Sequence, residues 1–308
     1  MADPVGASTE SAVGFEDVLA GLLAFLDLCS ELGLREPANS GRFGAYVEII
    51  KRLRANLPQL RAHDAATWRR TSKDLPGILV ALAESQEVGS TVAFLRTCSS
   101  VVLVPRVRLL VQGPELRGDE DQASNQARNV QFELWLAALL WRTGVDVSLE
   151  EPDLVLRLKD KEVLVACKRL LSLHKLTKRI NEAAAQLGRG LTRARAVPAW
   201  GLVAISLSRI STTTPDQSQP IASRAAGLDE LDARIERLVF RRAKWVQSRE
   251  AQGVIFHDGS IYTNAETNRV ETGHFFTLVG DVAVCAEVAT ILGRAVGVFA
   301  SKDRKSQR

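Results

Sequence analysis

Cysteine is scarce and dispersed in this chain. The four cysteines, Cys29, Cys98, Cys167 and Cys285, include no pair at zinc-binding or redox spacing. That argues against a disulfide scaffold or zinc ribbon and fits a reducing compartment. The four histidines are equally scattered. His257-Asp258 and His274 could meet in space, but no spacing makes a metal box, so a structural or surface role is expected. A large charge of one sign is also missing: the formal net charge is +4, so the molecule is not a polycation. The first residues carry Asp3 and Glu10 and no basic leader, so a cytoplasmic protein without a signal peptide is expected. The apolar run at 18–26, bounded by Glu16-Asp17 and Asp27, falls short of the ~20 residues of a membrane span. There is no internal repeat, P-loop or dinucleotide fingerprint.

What remains is an ordinary folded composition. Hydrophobic residues make up 46% and charged residues 25%, and 308 residues suffice for one large domain or two smaller ones. Charge is unevenly placed. Residues 117–121 are locally acidic, whereas 168–195 carry many cations and a single acid, Glu182. Such asymmetry says more about a partner than the total does.

Residues 1–11 are small and polar, and disorder is expected there. Helical periodicity follows at 12–32, 43–57, from Pro58 to Trp68, and at 78–92, giving an all-helical module over 12–111. The β-branched run 101–105 fits either a short strand or a helix end. The polar segment 112–123 is the expected linker, and a second domain is placed at 124–300, before a basic tail at 301–308.

The second domain starts with an apolar helix at 129–141. Short strands are expected at 144–149, 151–158 and 162–168, the last two joined across Lys159-Asp160-Lys161 as a hairpin. Alternate strand residues share a face, so Leu164, Ala166 and Lys168 point one way and Val163, Val165 and Cys167 the other. The hairpin sets Asp153, at the start of one strand, beside Lys168, at the end of the next. A basic amphipathic helix at 176–192 places Ile180, Ala183, Ala184 and Leu187 on the sheet. Lys175, Lys178, Arg179, Glu182, Gln186 and Arg189 then lie toward solvent. The apolar run 200–207 reads as a buried strand parallel to a hairpin strand. Beyond it come a loop at 208–227, a charged helix at 228–250, strands at 253–257 and 275–279, and at 283–299 a closing apolar helix or strand-helix mixture.

The residues Glu133, Pro152-Asp153, Ala166-Cys167-Lys168 and Gln186, in that order, resemble the core of the PD-(D/E)XK nuclease superfamily, the restriction-endonuclease-like fold. The resemblance implies an α/β fold with a mixed central sheet flanked by helices. It also implies Mg²⁺ (or Mn²⁺) held by Asp153 and Glu133, with the Cys167 carbonyl completing the shell. Lys168 would orient the attacking water, and Gln186, Lys175, Lys178 and Arg179 would meet the substrate. Ala166 departs from the pattern, because it stands where the family has its motif acid and a methyl group cannot hold a cation. Glu133, Glu150, Glu151 and Glu182 are the local acids that could replace it.

Each residue also has a plainer role: Asp153 could start a turn, Lys168-Arg169 could end a strand in solvent, Glu133 could lie on an exposed helix side, and Gln186 could serve as a helix former. The leading expectation is a metal-dependent nuclease acting on nucleic acid, DNA in preference to RNA, with a homodimer allowed and no membrane. The alternative is a catalytically inactive nuclease-fold protein that binds nucleic acid or a nucleotide. A protein-interaction scaffold comes third.

Overall fold

The computed structural model describes residues 5–11, 15–62, 64–114, 125–193, 198–208, 233, 237, 250–264 and 269–296. The basic tail at 301–308 lies outside them. So do the loop expected at 208–227, beyond Ser208, and the helix at 228–250, apart from Ala233, Arg237 and Glu250. The chain divides into two compact units, one of residues 12–138 and one of residues 1–11 with 139–308.

The unit at 12–138 is helical. It contains α1 (Phe15–Glu31), α2 (Arg35–Ser40), α3 (Arg42–Arg61), α4 (Ala65–Gly89), α5 (Val92–Leu95), α6 (Ser100–Val111) and α7 (Asn125–Trp141) as far as Ala138. The expected boundary at 112–123 therefore differs, because the polar start of α7 is tied to the helices before it, Arg128 to Glu84 and Gln131 to Arg42 and Glu87. α1 stops where anticipated: Gly33 takes a positive φ of 73° and the Leu34 N–H donates to the Cys29 carbonyl at 2.7 Å. A left-handed residue closing a helix in this way is the common glycine C-cap. Pro58 does not open a new helix but lies within the last turns of α3. The next start is at Asp64, whose side chain accepts the Thr67 N–H at 2.7 Å. Residues 101–105 belong to α6, which resolves the strand-or-helix alternative in favour of helix. α1 and α4 approach closely at Gly21 and Gly89, where a Cβ added to Gly89 would come within 2.8 Å of the Gly21 backbone. Phe25, Phe43 and Tyr46 fill the interior edge to face, at centroid distances of 5.1 and 5.8 Å. Within Lys73–Leu95 an 18-residue window is long and apolar enough to cross a membrane, and 56% of that window is buried in the protein.

The other unit is α/β, a mixed seven-stranded sheet flanked by helices. The strands are β1 (Val5–Ser11), β2 (Asp146–Ser148), β3 (Leu154–Arg157), β4 (Glu162–Arg169), β5 (Ala199–Ser206), β6 (Gly253–Asn264) and β7 (Arg269–Gly280). Their order is β1-β7-β6-β5-β4-β3-β2. Residues 5–11, expected to be disordered, form the strand beside β7 instead, so sheet pairing supplies the order that their composition does not. β2, β3 and β4 run antiparallel in sequence, and β5 then pairs parallel with both β4 and β6. The parallel neighbour requires a crossover, which α8 (Leu176–Arg193) provides.

Fully covered strands read as continuous apolar runs, as Leu202 to Ile205 do, all with no exposed surface. α8 buries Ile180, Ala183, Ala184 and Leu187 against Leu164, Ala166, Val203, Ile205 and Phe256. Sealing a side chain such as Ile180 or Leu187 contributes about 1.5–3 kcal/mol. The final helix, α9 (Val282–Val296), packs beside β1 and β7.

Candidate functional site

The register fixes the site. Leu154 pairs with Val165, and one further step sets Asp153 across from Ala166. The parallel pairing of Lys168 with Ile205 holds that lysine on the side of the sheet that α8 covers. α8 then brings Gln186 over the strand ends. Its close approach depends on Gly190, where an added Cβ would lie 3.1 Å from Pro152 Cδ and 2.8 Å from Leu164 Cδ2. Two glycines, Gly188 and Gly190, inside an amphipathic helix are the sequence signal for such a contact, and sequence reasoning had passed over it.

Four of the anticipated residues meet here. Lys168 Nζ lies 3.6 Å from Asp153 Oδ2 and donates to Gln186 Oε1 at 2.6 Å. Gln186 Nε2 donates to Asp153 Oδ1 at 2.9 Å and also to the Pro152 carbonyl. The Cys167 N–H donates to Asp153 Oδ2 at 2.7 Å. Cys167 thus meets the acid through its amide hydrogen, whereas the resemblance implied a role for its carbonyl. The glutamine amide bridges the pair, its oxygen toward the ammonium and its nitrogen toward the carboxylate. The Asp153 and Lys168 side chains each keep 18% of their surface exposed, so solvent reaches the pair. Burial pushes the Asp153 carboxyl above its ordinary value, and the nearby Glu151 charge adds to the push. The Lys168 charge, the Cys167 N–H and Gln186 pull in the opposite direction.

Glu133, the other expected ligand, has a partner of its own. It lies in the helical unit, 7% exposed, and accepts from Arg106 Nε at 2.7 Å. A nearly buried carboxylate needs a cationic partner, and Arg106 supplies it. Two more of the local acids are engaged. Glu150 accepts from Arg157 at 2.6 Å, and Glu182 accepts from Arg179 at 2.8 Å. Ala166 is fully buried among apolar side chains.

These residues fit a protein-held Mg²⁺ or Mn²⁺ poorly. They offer one acid whose two oxygens already accept N–H donors, with an ammonium alongside and a methyl group where the second carboxylate would stand. Among the described residues, no group of three His, Cys, Asp or Glu is placed to hold a metal.

The expected contact residues lie on α8. At 3.6 residues per turn, Lys175 (just before the helix), Lys178, Arg179, Glu182, Gln186 and Arg189 fall within an arc of about 100°. That arc adjoins the apolar stripe and contains Gln186, and Arg179 and Lys178 lie on it about 10–12 Å along the helix axis from that glutamine. Elsewhere in the unit, His257 and His274 do converge. Their rings are buried, and His257 Nε2 lies 3.1 Å from His274 Nδ1.

No protein-family model, no curated protein and no solved structure matches this chain.

Proposed function

We propose that this chain binds nucleic acid through a restriction-endonuclease-like core that no longer supports metal-dependent cleavage. The order helix, acid strand, lysine strand, helix and parallel strand supports the core assignment. The Asp153–Lys168–Gln186 geometry supports it further. A single observation carries the loss of turnover: the Ala166 methyl, sealed in the apolar cluster, takes the position beside Asp153 and Lys168 where a second oxygen ligand is required. Binding needs less than chemistry does. The cations of α8 suit a phosphate backbone, giving affinity without sequence readout and a steep dependence on salt.

Incubating the protein with labelled duplex and single-stranded DNA in Mg²⁺ or Mn²⁺ tests this. Salt-sensitive binding without cutting is expected, together with a gain of metal binding or chelator-sensitive cutting in Ala166→Glu. Cutting by the unaltered protein that EDTA stops and Asp153→Ala abolishes would overturn the reading.

A second reading is favoured by one observation. Glu151 is exposed, and its charge is felt at Asp153. If it supplies the missing oxygen, the protein is a metal-dependent nuclease, and Glu151→Gln should then abolish cutting as completely as Asp153→Ala.

A further inference from the structure

α8 carries its charge in an unusual place. Lys175, Lys178 and Arg179 cluster at its N-terminal end, where the helix dipole is positive and cations are disfavoured. One acid, Glu182, answers them, 2.8 Å from Arg179 and 3.9 Å from Lys178. Its order relative to these partners, base first and acid later, is the weaker arrangement for supporting a helix. The Lys178 side chain is 75% exposed and Glu182 37%, so an i,i+4 ion pair of this kind adds little to stability. Helix stability therefore accounts for neither the cations nor the acid that follows them. Anion recognition accounts for both: the cations attract phosphate, and the carboxylate occupies them when no phosphate is present.

Resting on the nucleic-acid-binding reading above, we propose that Glu182 is a built-in competitor for the DNA backbone. It holds Arg179 and Lys178 in the unliganded chain and yields them to a phosphodiester on binding. Affinity is thereby kept below what the basic face could reach, and the Arg179 guanidinium is held in place for the incoming phosphate. Exchange of one carboxylate for one phosphate makes binding more sensitive to the charge at residue 182 than to charge elsewhere on the surface.

Fluorescence anisotropy with a labelled 30-mer DNA duplex, titrated across a salt series, tests the proposal on the full chain. Glu182→Gln should bind severalfold more tightly at low salt, with a log–log salt slope steeper by about one, the value for one additional freed cation. Adding Arg179→Ala to Glu182→Gln should cancel the gain, as a double-mutant cycle requires for coupled groups. Glu48→Gln, which breaks the similarly exposed Glu48–Lys51 pair in the helical unit, should leave affinity unchanged. Glu182→Ala gives a second route if the glutamine re-forms a bond to Arg179. Binding by Glu182→Gln alone, with none by the unaltered chain, would also support competition. If the unaltered chain binds but neither Glu182 variant binds more tightly, or Glu48→Gln gains as much, the competitor role is overturned and the binding reading stands. If no form binds DNA at low salt, the binding reading itself fails, and this inference fails with it.

Discussion

Each unit has a carboxylate at the centre of a polar cluster, and the two clusters differ chiefly in their access to water. In the helical unit, Glu84 accepts from Arg42 at 2.8 Å, Arg128 at 2.6 Å and Tyr46 at 3.0 Å. Arg42 also donates to the Leu110 carbonyl and to Gln131, whose amide bonds Glu87. Glu84 has no exposed surface, and Arg42 and Arg128 have 2% each. In the sheet unit, Asp153 has a cation, a glutamine amide and a backbone N–H for partners, yet it keeps contact with solvent. Similar chemistry therefore serves two purposes. A sealed charge network constrains how α3, α4, α6 and α7 assemble and has no opening for a solute. The open one sits at strand ends where a ligand could reach it.

The sharpest way to break that contrast is to remove each carboxylate. Glu84→Ala strands two buried guanidiniums, and taking one partner from a buried ion pair costs about 3–5 kcal/mol. Asp153→Ala leaves Lys168 free to turn toward water and orphans one backbone N–H, a cost of about 1–2 kcal/mol. Denaturant melts of both variants, followed by circular dichroism, should show the Glu84 change to be the larger by a clear margin. Equal losses would mean that the Asp153 cluster is as structural as the Glu84 network.

Glycine contacts set the next size of effect. Gly89→Ala drives a methyl into the Gly21 backbone, which cannot move without shifting α1, and overpacking of this kind costs about 1–3 kcal/mol. Gly190→Ala meets mainly the flexible end of Leu164 and the Pro152 ring, so its cost falls at the low end of that range. Its informative readout is DNA affinity, which should fall because α8 carries both Gln186 and the cations. A Gly190→Ala protein that loses stability but keeps full affinity would separate α8 placement from binding.

These two clusters were not equally legible in the sequence. The hairpin tip at Lys159–Lys161 and the period-two strands located Asp153, Lys168 and Cys167. The apolar phase of Ile180, Ala183, Ala184 and Leu187 then oriented Gln186. Those relations are local, spanning one hairpin and one helix. The Glu84 network joins residues 38 to 89 positions apart on four helices, and no local periodicity announces it. Glu84-Ser85 directly after the apolar run 78–83 was its one sequence trace. The Glu133–Arg106 pair was hidden for the same reason, since it joins α7 to α6 across 27 positions. The N-terminal strand was missed because Val5–Ser11 has little apolar content and gains its order from β7.

Buried thiols compare the two units without disturbing either cluster. Burial pushes Cys29 of the helical unit up to about 12 and Cys285 of the sheet unit up to about 11, the Asp281 charge adding to the latter. Thiolate is the reactive form, so both should resist an aromatic disulfide reagent at neutral pH until their unit opens. Half-buried Cys98 should label first. Labelling rates at Cys29 and Cys285 then rank local opening, and Glu84→Ala should accelerate Cys29 far more than Cys285. Equal acceleration would show that the two units open as one.

The smallest effect is a pair of opposed titrations three residues apart. Hydrogen bonds from Arg157 and Ser148 lower the Glu150 carboxyl, so its contribution to stability is present above the unfolded value and lost as pH falls through the folded one. Asp153 runs the other way. Burial raises it, so between its unfolded and folded values the folded chain binds more protons than the unfolded chain, and stability declines as pH rises across that window. Carbon-13 carboxyl titration should place Asp153 above 3.8 and Glu150 below 4.5, their ordinary values. Lys168→Ala should move Asp153 further upward, since it deletes the strongest opposing charge, and leave Glu150 unmoved. An Asp153 value that instead falls below 3.8 would mean that its ion pair outweighs its desolvation. The site would then be a stabilising salt bridge, as the Glu84 network is, and only its contact with solvent would still set the two clusters apart.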